Sequence, residues 1–182
     1  GAMWSRRRLF QLGAGGALLL GGVGAFRWLT SGYALAPGEA AIGLGVKEYC
    51  IAKAVVDALL PDGVALGVVQ GMDEQVWAAE PGLQADLRAA LLLIEHSPPL
   101  FGVLGRFTRL GRTARQELLT RMLRSKREVF VQAVSGLKQM AQILYYSTDA
   151  VWDAIGYDGP WIKERKPPAS ALAYQKLLKE RA

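Results

Sequence analysis

The chain has 182 residues, with 22 Lys and Arg against 16 Asp and Glu, a formal charge of +6, one histidine and one cysteine. All four basic residues ahead of Glu39 (Arg6, Arg7, Arg8 and Arg27) lie in the opening segment; without them 18 basic residues face 16 acidic ones, a net +2. A body so weakly basic argues against nucleic-acid binding, and a lone Cys50 excludes an internal disulfide.

Ser5-Arg6-Arg7-Arg8-Leu9-Phe10-Gln11 reads as a twin-arginine export signal, with Gln11 where lysine is usual. From Leu12 to Phe26 the apolar run is diluted by Gly13, Gly15, Gly16, Gly21, Gly22 and Gly24, well below the hydropathy and helix propensity of a Leu-rich span. Two small-x-small cut sites come next, Gly32-Tyr33-Ala34 and Ala34-Leu35-Ala36, the latter obstructed by Pro37. Left uncleaved, the same segment becomes a membrane anchor. Gly1-Ala2 reads as the remnant of an expression tag. The organisation expected is therefore tag remnant and signal over 1–36, a helical domain over 37–162, and a charged, Pro-containing tail over 163–182 that includes a short amphipathic helix. Export by this route delivers a folded protein to the periplasm.

Helical periodicity dominates the chain beyond the signal. Val46, Cys50, Ile51, Val55, Ala58 and Leu59 recur at three- and four-residue spacings until Pro61-Asp62-Gly63. Val69, Met72, Val76 and Ala79 mark a second helix, ended by Pro81-Gly82. A third, from Leu83 to about Glu95, aligns Leu87, Leu91 and Ile94 and breaks at Ser97-Pro98-Pro99. Leu100 to Gly111 is an irregular connection. Thr113 and Gln116 have the form of a capping box opening a long helical region to about Tyr146, either one bent helix or two meeting near Ser125. Asp149 is placed to cap a short helix through Ile155, with Gly156 as its stop and Asp158-Gly159-Pro160 as a turn. In the tail, Ser170 is placed to cap a helix with Leu172, Leu177 and Leu178 on one side. The expected fold is all-α, a single small helical domain packed as an orthogonal or irregular bundle.

Catalytic patterns do not assemble. His96 stands beside Ser97-Pro98-Pro99 with no nucleophile elbow, one Cys with one His makes no metal cluster, no Cys-x-x-Cys spacing occurs, and the glycines crowd into the leader. His96 reads as a structural hydrogen-bonder at a helix end, and Cys50 as buried packing. Tyr145, Tyr146, Trp152, Tyr157 and Trp161 are five large aromatics in seventeen residues, more than a small core hides comfortably, and they mark a candidate partner interface. Arg106, Arg109, Arg112 and Arg115, continued by Arg121, Arg124, Lys126 and Arg127, read as a solvated face, with Arg106 and Arg109 candidates for contact with an acidic partner surface.

Together these segments bring a family into view. The signal, Glu48-Tyr49 leading into Ala58-Leu59-Leu60-Pro61, Leu91 through Pro98, Arg106-Phe107-Thr108-Arg109-Leu110, and above all Tyr145-Tyr146-Ser147 with Val151-Trp152 and Ile155-Gly156-Tyr157-Asp158-Gly159-Pro160 resemble the gluconate 2-dehydrogenase subunit 3 family. The resemblance implies a non-catalytic small subunit that carries no cofactor of its own. Its partners would be a large FAD-dependent subunit of the glucose-methanol-choline type, without an export signal, a cytochrome c subunit and the twin-arginine translocase. Gly111-Arg112 departs from the Ser-Pro helix start usual in the family, and the tail after Lys163 has no counterpart in it. A stand-alone periplasmic or membrane-anchored helical binding protein is the alternative reading of the same residues.

Overall fold

The structure, a computed structural model, describes residues 31–60, 62–160 and 166–181. The chain divides into the units Gly1–Tyr33 and Ala34–Ala182, and every described helix belongs to the second. The expected signal residues Ser5, Arg6, Arg7, Leu9 and Phe10 lie outside the described residues.

Helix α1 (Val46–Leu59) buries Tyr49, Ile51, Ala52, Ala54, Val55, Val56 and Ala58, most of its circumference, so its place is central. It stops where the sequence requires. Leu60 precedes a proline and takes an extended conformation, φ −129° and ψ 120°, out of the α region that a following proline ring disfavours. α2 (Val68–Ala78) and α3 (Pro81–His96) come next, and Pro81 sits in the first turn of α3, where its missing N–H costs nothing. Two 3₁₀ turns, Pro98–Phe101 and Phe107–Arg109, punctuate the irregular connection. α4 (Arg112–Leu123) and α5 (Glu128–Tyr146) are separate helices. The break falls at Ser125, whose hydroxyl accepts the backbone N–H of Arg127 at 3.1 Å and so offers the chain an alternative to the next helical bond. α6 (Asp149–Ile155) ends at Gly156, left-handed at φ 68°, and α7 (Ala169–Arg181) closes the chain. No strand occurs among the described residues, and the domain is all-α.

Helices α1 and α5 each pack against α2, α3 and α4, which bridge them. The seam of α5 is Phe130, Val134, Leu137 and Ala141, one residue per turn, while α4 contributes Leu118, Leu119 and Met122. Phe107, fully buried, projects from its 3₁₀ turn, and this turn packs on α1 and α3. Three expectations need correction. Thr113 and Gln116 form no capping box, because α4 begins two residues earlier, with Gly111 at its cap position and no side-chain cap, and Gln116 instead donates to the Ala58 carbonyl on α1 at 3.0 Å. Asp149 is the first helical residue of α6 and Thr148 its cap position. In the tail, Leu172 is 59% exposed, and the residue that goes inside is Tyr174.

Two glycines separate backbone need from helix propensity. A Cβ at Gly43 would lie 2.3 Å from the Asp73 carbonyl oxygen and 2.5 Å from the Trp77 nitrogen, both backbone atoms, whereas one at Gly136, within α5, meets nothing within 4 Å. We expect Gly43→Ala to destabilise by about 3 kcal/mol or more through overpacking. Gly136→Ala should stabilise by about 0.5–1 kcal/mol through helix propensity. Thermal unfolding of the two variants checks this, with midpoints displaced in opposite directions by roughly 2–4 °C per kcal/mol.

Candidate functional site

The aromatic corner is built by the way α5 stops. At its end Ser147 turns back, its N–H and hydroxyl both donating to the Ile143 carbonyl, and Thr148 donates from N to Tyr145 and from Oγ1 to Leu144. These bonds satisfy the last carbonyls of α5 locally, and the chain is free to reverse at once into α6. Val151 is the buried anchor that holds α6 against α5. The rings then arrange themselves around the corner. Trp152 Nε1 donates to the Tyr146 carbonyl at 2.9 Å, and its ring meets Tyr157 edge to face, centroids 5.4 Å apart. Tyr145 and Tyr146 form a second edge pair at 5.4 Å. Gly159, at φ 92°, passes so close to the Trp152 ring that a Cβ there would lie 3.0 Å from it.

Of the aromatics singled out in the sequence, Tyr146 and Tyr157 are exposed at 48% and 44%, with Ile143 and Ile155 exposed beside them in the chain. Tyr145 and Trp152 are half-buried and support the corner, and Trp161 lies outside the described residues. The arginine series divides. Arg109 is exposed, but Arg106 is 2% exposed and paired with the fully buried Glu95 at 3.8 Å. Arg106 therefore is no surface contact: it faces inward because Glu95, which also accepts the N–H and hydroxyl of Thr108 at 2.9 and 2.7 Å, needs a cation in a desolvated place. Arg115 likewise leaves the solvated face. Its guanidinium donates to the Phe107 and Thr108 carbonyls and to Asp57, and it lies 5.9 Å from the centre of the Phe107 ring.

A second polar cluster carries no motif that sequence reasoning picks out. Asp73, fully buried on α2, accepts the backbone N–H groups of Ile42 at 2.9 Å, Gly43 at 3.1 Å and Leu44 at 2.7 Å, and the Tyr174 hydroxyl at 2.7 Å. Gln70 donates to the Tyr174 hydroxyl and to the Ala40 carbonyl, and accepts from Tyr49 at 3.2 Å. Burial, reinforced by Glu39 and Asp73, pushes the Tyr49 phenol up to about 12; burial and the bond to Asp73 also raise Tyr174. A subtler signal is present, since Asp73 stands between Val69 and Val76 on the apolar stripe of α2, as Glu95 does one turn beyond Leu91 on α3.

His96 Nε2 stands 2.8 Å from the Lys47 ammonium, an acceptor's position. Burial, then the charges of Lys47 and Arg106, hold its pKa below the usual imidazole range, with Glu95 opposing. Cys50 is half-buried with its thiol on the Ala34 carbonyl at 3.4 Å, and burial raises its pKa. Among the described residues no group of three or more His, Cys, Asp and Glu is placed to hold a metal ion, and no helix is long and apolar enough to cross a membrane. No family model, no curated protein and no solved structure matches the chain.

The His96 environment fixes the sign of a pH effect. An unfolded chain protonates His96 near the ordinary value of 6.5, but the native chain does so only at lower pH, so in between the unfolded state binds more protons. Stability is therefore fully present above about pH 6.5 and declines as pH falls toward the native value. Urea titrations between about pH 7 and 5 should show a steeper loss in the wild type than in His96→Gln, and parallel curves would remove His96 from the linkage.

Proposed function

We propose that this chain is the non-catalytic small subunit of a periplasmic FAD-dependent dehydrogenase of the glucose-methanol-choline type. It binds and stabilises a large subunit that lacks an export signal and carries it, folded, through the twin-arginine route. In this reading FAD and the substrate pocket belong to the large subunit, and a cytochrome c subunit accepts the electrons.

The observation that carries the reading is the aromatic corner. Tyr146 and Tyr157 offer large, rigid, amphipathic side chains to solvent on a backbone fixed from behind by Val151, Trp152 and Gly159. Residues of this kind dominate binding energy between proteins, because their two torsions cost little entropy to fix and their rings exclude much water. They also coincide with the segment in which the resemblance to the small-subunit family is most specific. The paired arginines of the leader support export, and the small net charge of the body is consistent with a protein partner rather than nucleic acid. A second reading, a stand-alone helical binding protein, has one observation in its favour: a groove of about 560 Å³ between α3 and α5, lined by Leu87, Ala90, Leu93, Val129 and Ala133.

Co-expression with a neighbouring flavoprotein reading frame tests the assignment. Tyr146→Ala with Tyr157→Ala should weaken assembly by on the order of a hundredfold or more, two anchors at about 2 kcal/mol each, while circular dichroism keeps its native helicity. Undiminished co-purification from that double variant would remove the corner from the interface.

Export supplies an independent prediction. Arg6→Lys with Arg7→Lys should leave the small subunit and its flavoprotein partner folded in the cytoplasm, with flavin bound to the large subunit. Periplasmic delivery of both chains at the wild-type level would sink the carrier role.

A further inference from the structure

Helix α7 is attached by very little. Of its thirteen residues only Tyr174 is buried; Leu172 is 59% exposed, and Leu177 and Leu178 are half-buried. Its principal packing is on α2, where the Tyr174 ring leans on Trp77 at 5.9 Å between centroids and its hydroxyl enters the socket formed by Asp73 and Gln70. Arg181 adds a long bond of 3.4 Å to the Ala41 carbonyl. The residues on the approach, 166–168, are exposed, as are most of 156–160.

The socket itself does not depend on α7. Asp73 Oδ1 holds the N–H groups of Gly43 and Leu44, and Oδ2 holds that of Ile42 in addition to the Tyr174 hydroxyl. With Tyr174 withdrawn, water replaces one of the carboxylate's four donors, and the three backbone donors keep the segment before α1 on α2. Regions with few buried contacts open at low free energy, independently of the rest. A thirteen-residue helix without tertiary support is also marginal in water, so release and unwinding coincide.

We propose that α7 is a latch that opens as a unit, with Tyr174 as its bolt and the Asp73–Gln70 socket of α2 as its keeper, while α1 to α5 stay folded. When it opens, a face of α2 bearing Gln70, Asp73 and Trp77 becomes accessible to solvent. The latch rests on the contacts of α7 alone and is independent of the proposed function.

Hydrogen–deuterium exchange on the full chain, followed by peptide mass spectrometry, tests it. In the wild type, amides of 169–181 should open at least roughly a hundredfold more often than those of α1 and α5. Tyr174→Phe keeps the ring and loses the bond to Asp73, and should speed exchange in α7 by about 10- to 100-fold. Tyr174→Ala should bring α7 to the rate of an unstructured peptide with protection of α1 and α5 unchanged. Protection of α7 equal to that of α1, or a Tyr174→Ala variant losing protection throughout α1 and α5, would overturn the latch. Unchanged α7 exchange in Tyr174→Phe would overturn the role of the Asp73 bond.

Discussion

The buried carboxylate of Asp73 is the constraint on which the arrangement of this domain turns. A charged oxygen pair removed from water needs partners, and here the partners come from both ends of the domain: three backbone N–H groups of residues 42–44 and one hydroxyl from residue 174. The segment before α1 has no secondary structure of its own to satisfy those amides, so Asp73 acts for it as a cap acts for a helix. Gly43 lets the strap come close enough, and Arg88 on α3 takes the Gly43 carbonyl at 2.6 Å, so the same residue is held from two helices. Hydrogen bonds to a charged acceptor contribute about 1.5–3 kcal/mol each, enough to make this one side chain comparable to the net stability of a small domain.

Glu95 repeats the device on α3. It captures Thr108 and Arg106 from the irregular connection, and Arg115 on α4 closes over the same turn by binding the carbonyls of Phe107 and Thr108. In both places a buried acid fixes a stretch of chain that helical packing alone would leave undefined. The two acids define the irregular parts of the fold, while the apolar seams define the helices.

This division explains how much was legible in the sequence. The spacing of Ile51, Val55 and Ala58 and the stops at Pro61, Pro81, Ser97-Pro98 and Gly156 are local signals, and α1, α2, α3 and α6 follow from them to within a residue or two, whereas one bent helix and two were equally open between Thr113 and Tyr146. The destination of Arg106 was not local: it depends on an acid eleven residues earlier whose burial follows only from packing of α3. Tyr174 depends on a partner 101 residues away, so a tail read by its leucines placed Leu177 and Leu178 on the inward side but missed the buried tyrosine between them and the exposed Leu172. For the corner, the excess of aromatics over what a small core accepts was the usable signal, and it does not separate the exposed Tyr146 and Tyr157 from their neighbours. Which ring supports and which projects is set by the Trp152 bond to the Tyr146 carbonyl and by the close approach of Gly159, a geometry visible only in three dimensions.

The corner and the latch draw on opposite ends of the same energetic scale. At the corner the backbone is locked by local bonds from Ser147 and Thr148 and by the buried Val151, so the exposed tyrosines are presented with little freedom left to lose on binding. At α7 one tyrosine is inserted and the rest of the helix gains almost nothing by staying. A rigid display suits recognition of a preformed surface, because the ordering cost has been met in folding; a weakly held helix suits a change of state, because few contacts must be given up. The two behaviours do not share a cause: Tyr157 and Gly159 are fixed by the Trp152 ring, whereas the order of α7 is fixed by Asp73 on α2. The stiffness of the one therefore imposes nothing on the other, and the helix can leave its socket while the corner keeps its shape.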